Sequence, residues 1–332
     1  MKEVKNGRII TAIGTTYLPL IAVTLRLEDS LMTRITLQNT PALKGVTSRP
    51  VNFTSNGTAL SGVLYSPEGP SGPRPAVIVT GAWTTVKEQM AGTYARELAA
   101  RGHAALAFDF TGWGESEGAP RYVEDPAVKT ADIRAAAAFL AGLDEVDASR
   151  VSGLGVCASS GYMAAAVADD ATLQKVALVA PWLHDPAMAE GLYGGAEMAA
   201  SLIAASEATD AADTVLPGAS ATDENSVMYQ APYYTEEDRG LIPAYDNKFS
   251  VASWKPWLTY DAQTSADRLT KPMLMVGSPA IALPAGAAAY EARTKAPLEK
   301  LWLGEDVTQF DFYDRKDAVT AAADAVADFL NA

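Results

Sequence analysis

The stretch Arg150-Val-Ser-Gly-Leu-Gly155-Val-Cys157-Ala-Ser159-Ser-Gly161-Tyr-Met-Ala-Ala-Ala-Val-Ala168 decides the fold. The apolar run from Val151 to Val156 predicts a short buried strand, Cys157 a tight turn, and the small residues after it the opening of a helix. In a Gly-x-Ser-x-Gly nucleophile elbow the reactive side chain sits on a strained strand-to-helix turn, with small neighbours that let backbone and substrate approach. Here Gly155 and Ser159 flank Cys157. The other register, Cys157-x-Ser159-x-Gly161, makes Ser159 the nucleophile but lacks the first glycine and pushes the turn into the helix, so the strand-to-turn context favours Cys157. A thiol at a helix N-terminus faces unpaired N–H groups, which favour thiolate and lower its pKa. The competing reading is an inert small apolar residue, a common fate of buried free cysteine.

Outward from the elbow, strand and helix alternate. Arg49 to Asn56 and Thr58 to Tyr65 predict a hairpin about Asn56-Gly57. Ala76 to Val79, Ala104 to Phe108, Val176 to Val179 and Met273 to Val276 are short apolar runs suited to a sheet buried on both faces. Helices are expected up to Ala100, over Asp125 to Ala141, after the elbow, from Pro284 to Arg293 and from Asp317 to Leu330. A last strand is expected over Glu299 to Leu303. Such alternation argues for βαβ units and a parallel sheet. It breaks between Ala180 and about Ala262, a segment too long for a simple connection and rich in aromatics, which predicts a lid. Trp182, Tyr233 and Tyr234 are candidates to line a substrate pocket beneath it.

At 332 residues the chain holds one large α/β domain with an insertion, or two ordinary domains. Its net charge of −14 argues against nucleic acid or an anionic membrane as partner. A small-molecule substrate is the expected partner, and a homodimer is left open. The single cysteine permits no intrachain disulfide, which suits the cytoplasm. Lys2, Lys5 and Arg8 precede an uncharged run from Ile9 to Leu25, but Gly14, Tyr17 and Pro19 interrupt it and no small-x-small site follows before Arg26. A packed N-terminal extension, or one upstream of a start at Met32, is expected there rather than a signal peptide. No Cys/His cluster, EF-hand spacing or nucleotide fingerprint occurs, so neither metal nor cofactor is expected.

Together these segments resemble the α/β-hydrolase fold from about Ser48 onward: a mostly parallel sheet flanked by helices, with a lid after the sixth strand. The division is an extension (1–47), a core in two parts (48–185 and 263–332) and a lid (186–262). Val86-Lys87-Glu88-Gln89, Phe108-Asp109-Phe110 to Ser116, Gly155-Val-Cys157 and Phe310-Asp311-Phe-Tyr313-Asp314 look like the dienelactone-hydrolase-like branch, whose elbow often carries Cys. The resemblance implies an oxyanion hole from the N–H groups of Ala158 and of Ala82 or Trp83. It also implies a carboxylate near the cysteine, for which Glu88 is the candidate, though a solvated first-turn Glu fits equally.

Two triad positions depart from the branch. The acid's place after the seventh strand falls on Ala280, and the histidine's on Gln309, which cannot shuttle a proton near neutral pH. His103 starts a strand, away from where ligands bind, and reads as structural. His184 follows the strand beside the elbow and is the candidate replacement base, oriented by Asp185 or Asp306; otherwise it is a lid residue. Three functions follow. One is ester or lactone hydrolysis through Cys157 with a non-standard base. A second is non-hydrolytic cyclisation, isomerisation or carbon-carbon cleavage, with Glu88, Tyr233, Tyr234 or His184 moving the proton. The third is non-catalytic binding of a small molecule.

Overall fold

The computed structural model describes residues 43–69 and 72–332. The N-terminal run from Ile9 to Leu25 therefore lies outside the described residues. Among the described residues no helix is long and apolar enough to cross a membrane.

Eight strands form the main sheet: β1 (Val46–Ser55), β2 (Thr58–Pro67), β3 (Arg74–Thr80), β4 (Ala104–Phe108), β5 (Val146–Val156), β6 (Leu173–Val179), β7 (Met273–Gly277) and β8 (Leu298–Trp302). Their spatial order is β1-β2-β4-β3-β5-β6-β7-β8. β1 and β2 form an antiparallel hairpin, β2 runs antiparallel to β4, and every pairing from β4 through β8 is parallel. The hairpin closes at Ser55 and Thr58 through Asn56 (φ 47°) and Gly57 (φ 85°), two residues in the left-handed region that a tight hairpin turn requires.

Helices α1 (Met90–Ala100), α2 (Pro126–Ala141), α3 (Ser159–Asp169), α4 (Pro186–Leu192), α5 (Ala196–Ser206), α6 (Pro284–Arg293) and α7 (Lys316–Asn331) flank or extend this sheet. The sequence places their ends well because the end signals are local. Asp125 caps α2 by accepting from the N–H groups of Ala127 and Val128 at 2.8 and 3.3 Å, and Pro126 occupies the first turn. α7 buries Val319, Ala322, Ala323, Val326 and Leu330 on one stripe and leaves Asp324 and Asp328 outside. The edge strand β8 shows solvent Glu299 and Lys300, charges that discourage further strand pairing.

Between β6 and β7 the chain leaves the sheet for α4, α5, three-residue strands at Val215–Pro217 and Lys248–Ser250, and short helical turns at Pro232–Thr235 and Trp254–Leu258. An aromatic cluster holds this insertion down: Trp83, from the loop after β3, stacks on Trp257 (centroids 5.0 Å) and meets Phe249 edge-on (4.9 Å). A buried ion pair adds to it. Arg239 of the insertion meets Asp314 of the C-terminal region through Nε–Oδ2 at 2.5 Å and Nη2–Oδ1 at 2.9 Å.

Candidate active site

β5 ends at Val156 and α3 begins at Ser159, so the chain must reverse within two residues. Cys157 takes φ 58° to do so, a strained conformation for a side-chain-bearing residue. Close return of α3 explains the glycine before it: a Cβ on Gly155 would stand 2.5 Å from the Ser159 carbonyl oxygen. Ser159 is buried, and its hydroxyl donates to the Gly81 carbonyl, so the turn belongs to Cys157 and the Ser159 register is excluded. The Cys157 N–H bonds the Val179 carbonyl at 3.0 Å, and Trp182 N–H bonds the Cys157 carbonyl at 3.1 Å, which pins the elbow to the end of β6.

The backbone N–H groups of Ala158 and Trp83 lie close enough to the Cys157 sulfur to favour its ionised form. Of the alternatives in the loop after β3, Ala82 is corrected: its N–H is taken by the Met90 sulfur at 3.4 Å. The Thr84 N–H is taken by Glu124 Oε2 at 3.4 Å. Trp83 is thus the loop donor left facing the sulfur. Glu124, which the sequence reading overlooked, is fully buried and also accepts from Tyr162 Oη at 2.8 Å and pairs with Lys129 at 2.7 Å. Lys129 in turn lies over the rings of Phe110 and Trp113 at 4.7 and 4.8 Å. This network fixes the loop that presents the Trp83 N–H.

Above the sulfur lies a cavity of about 380 Å³. The insertion supplies Tyr229, Tyr234 and Trp257 to its wall; the loops after β7 and β8 supply Ala280, Gln309 and Tyr313. Trp182 also lines it, but Tyr233 does not. Tyr233 lies behind, its ring edge-on to Tyr234 at 5.2 Å and to Tyr313 at 5.0 Å. Glu224, exposed, is the only charged residue in the wall among the described residues.

The two positions that the family resemblance assigns to an acid and a base hold groups that do not titrate. Ala280 is bridged through backbone to Thr308, so the loops after β7 and β8 meet where an acid and a base would face each other. Gln309 is buried and its amide is saturated. Nε2 donates to the Ala180 carbonyl at 2.9 Å and to Tyr313 Oη at 3.0 Å, while Oε1 accepts from the Ala282 N–H at 2.9 Å. Exchanging the amide's oxygen and nitrogen would oppose carbonyl to carbonyl and N–H to N–H, so this orientation is fixed. The Tyr313 hydroxyl, held by Gln309, lies beside the Cys157 sulfur in the same cavity wall and favours its ionised form, so Gln309, Tyr313 and Cys157 stand in sequence where an imidazole would be.

Two candidate bases stand elsewhere. His184 is buried and outside the cavity wall. Its Nδ1 accepts from Trp182 Nε1 at 3.0 Å, which leaves the proton on Nε2 to donate to the Trp257 carbonyl at 3.0 Å. Burial pushes its pKa down to about 4, so it stays neutral and ties the insertion to the end of β6. Asp185 caps α4 by accepting from Met188 N–H at 2.7 Å, and Asp306 lies 3.4 Å from Arg315. Neither orients His184. Glu88 is turned to Lys87 at 2.9 Å, in a cluster where Lys87 also meets Asp109 at 2.7 Å and Glu115 at 2.8 Å. Burial raises the Glu88 pKa, and the residue takes no part in the cavity wall.

The expected thiolate is corrected as well. Burial pushes the Cys157 thiol up to about 11, outweighing the hydroxyl and N–H groups directed at it. Labelling of Cys157 by a small neutral alkylating reagent is expected to rise about tenfold per pH unit from pH 7 to 10, because the thiolate is the reacting form. A plateau near neutral pH, read by intact mass over time, would show a base that activates the sulfur.

An eight-stranded, mostly parallel sheet with a strained strand-to-helix turn and two N–H groups converging on its side chain defines an α/β hydrolase. Within that class the chain belongs to the family described as "Esterase FrsA-like", whose model matches residues 17–192, and it is a hydrolase-type enzyme. Uncharacterized protein YcjY of Escherichia coli strain K12 is 29% identical over 298 residues, 84% of this chain and 97% of that protein. The crystal structure of hypothetical protein PA2218 from Pseudomonas aeruginosa superposes with a TM-score of 0.76 at 25% identity, covering 88% of this chain and 95% of the other. Polyketide transferase claH of Penicillium crustosum is 35% identical over 117 residues, 34% of this chain and 38% of that protein. Dienelactone-hydrolase-like proteins are among the structural neighbours.

Proposed function

We propose that this enzyme transfers an apolar acyl group through Cys157 and hydrolyses it only slowly. One observation carries the reading: the position of the base is held by Gln309, whose amide is saturated and cannot take a proton. In acyl transfer the Cys157 sulfur attacks the carbonyl carbon, the Ala158 and Trp83 N–H groups hold the oxyanion, the bond to the leaving group breaks, and the thiol proton departs with that group. What remains is a thioester. Water needs a general base to attack it, and among the described residues none is placed at the sulfur. A thiol or amine acceptor, intrinsically a better nucleophile, discharges it instead.

The cavity wall supports an uncharged, apolar acyl chain, since aromatic and aliphatic side chains dominate it and Glu224 would repel a carboxylate at the rim. Similarity to a polyketide transferase agrees with transfer as the outcome. The insertion acts as the lid that excludes water from the thioester. A cytoplasmic setting would keep the thiol reduced.

The test is intact-mass spectrometry after mixing the protein with the phenyl thioester of hexanoic acid. Wild type is expected to gain one hexanoyl group that persists in buffer and is lost when a small thiol such as N-acetylcysteamine is added. Cys157→Ala should gain none. Absence of an adduct on the wild type, or turnover that survives Cys157→Ala, would overturn the proposal.

A further inference from the structure

We propose that Tyr313 is a catalytic residue that carries the Cys157 thiol proton to the leaving group. The inference rests on the acyl-transfer reading above. A thiol attacking a carbonyl must lose its proton, and an alkoxide or phenoxide must gain one. No group at the sulfur is a base. Among the described residues, three polar groups lie close enough to the sulfur to favour its ionised form: the N–H groups of Ala158 and Trp83, needed for the oxyanion, and the hydroxyl of Tyr313, which lines the same cavity.

A hydroxyl has one proton and two lone pairs, so it can accept and donate in the same step. At Tyr313 one lone pair is committed: Gln309 Nε2 donates to it at 3.0 Å. Tyr234, which lines the same cavity, also lies within hydrogen-bonding reach of this hydroxyl, so its other lone pair and its O–H are shared among Tyr234, the sulfur and the substrate. As the sulfur–carbon bond forms and the bond to the leaving group breaks, the S–H proton passes to Tyr313 Oη and the Tyr313 proton passes to the leaving atom. Tyr313 ends with the proton count it began with, and no charge is left in the buried site. Burial raises the Tyr313 pKa well above its ordinary value, which disfavours a free phenolate and agrees with a relay rather than a base.

The surroundings fit a positioned group. Tyr313 is buried on the short helix Asp311–Asp314, with its ring against Tyr233 at 5.0 Å and Phe310 at 5.7 Å. Gln309 is then a positioning residue: its second N–H and its carbonyl are anchored to Ala180 and Ala282, so the donor to Tyr313 cannot swing away. This explains what a saturated glutamine does in a place where hydrolases of this fold use a base.

The experiment compares acyl-Cys157 formation by wild type and Tyr313→Phe under single-turnover conditions with 4-nitrophenyl and unsubstituted phenyl hexanoate. Phenoxide needs the proton more than nitrophenoxide does. Tyr313→Phe is expected to slow the phenyl ester by about a hundredfold and the nitrophenyl ester by about threefold or less, in line with the usual size of proton-transfer catalysis. In wild type the phenyl-ester rate should stay flat from pH 6 to 9, whereas in Tyr313→Phe it should climb with thiolate. Because each variant is judged by the ratio of two esters on one preparation, a smaller folded fraction cancels. Equal slowing of both esters, or no slowing, would overturn the relay while leaving acyl transfer in place. A wild type that forms no acyl-Cys157 with either ester would overturn both.

Discussion

Gln309→His combined with Ala280→Asp is expected to raise steady-state hydrolysis of an aryl ester by about 10²- to 10⁴-fold, the range a positioned general base supplies. The scaffold for it exists. Ala280 and Thr308 are joined by a parallel backbone bridge, and the Ala282 N–H already reaches the side chain at 309. A carboxylate from 280 would therefore face a ring at 309 and fix its tautomer, as in the triad arrangement. The ring would then activate water against the thioester, which Gln309 cannot do. Gln309→His alone should deliver a fraction of the gain, because an unoriented imidazole also leaves the Ala180 carbonyl without its donor, at a cost of about 1–3 kcal/mol. The Cys157 labelling profile should move to lower pH in the double variant. Unchanged hydrolysis in a variant that still folds and still acylates would show that the base position is not at 309.

Asp314→Leu is expected to be the most damaging single change to stability outside the sheet. Arg239 grips both oxygens of Asp314, and neither side chain sees solvent to any extent, with relative exposures of 4% and 0%. Removing the carboxylate leaves the guanidinium buried with Glu236, itself half in water, at 3.8 Å. Breaking such a pair from one side costs about 3–5 kcal/mol, which for a chain of this size lowers Tm by about 4–7 °C. Adding Arg239→Leu should restore most of that loss, since two apolar residues need no charge partner. Thermal unfolding of the three variants checks this. A double variant no better than Asp314→Leu would mean that packing, not charge, explains the effect.

How far the sequence carried these conclusions depends on whether the signal was local. The helices, the hairpin at Asn56-Gly57 and the turn at Cys157 follow from patterns within a few residues, and the structure has them close to where those patterns place them, although the elbow strand begins at Val146 rather than Val151 and the next at Leu173 rather than Val176. Ala280 and Gln309 were placed for the same reason: each follows a strand end, after β7 and β8. Burial was not legible this way. His184 reads as a spare base until both ring nitrogens are seen to be engaged, one by a residue 2 positions away and one by a residue 73 positions away. Glu88 reads as a tuner of the thiol until Lys87 is found holding it. The choice between Ala82 and Trp83 turned on a methionine sulfur that no local rule connects to the loop. The sign of the Cys157 shift depended on how much water the insertion removes, a property of the folded whole.

With Gln309 at the position the family resemblance assigns to a titrating ring, the proposed reaction centre is an array of fixed dipoles. Among the groups gathered at the sulfur, the thiol itself ionises only near pH 11, and His184 nearby only near pH 4. Acidification within the range a living cell experiences therefore leaves the centre's charge unchanged. If the enzyme transfers acyl groups as proposed, its control has to come from what is allowed in: the fit of the acyl chain, and the supply of an acceptor able to carry it away.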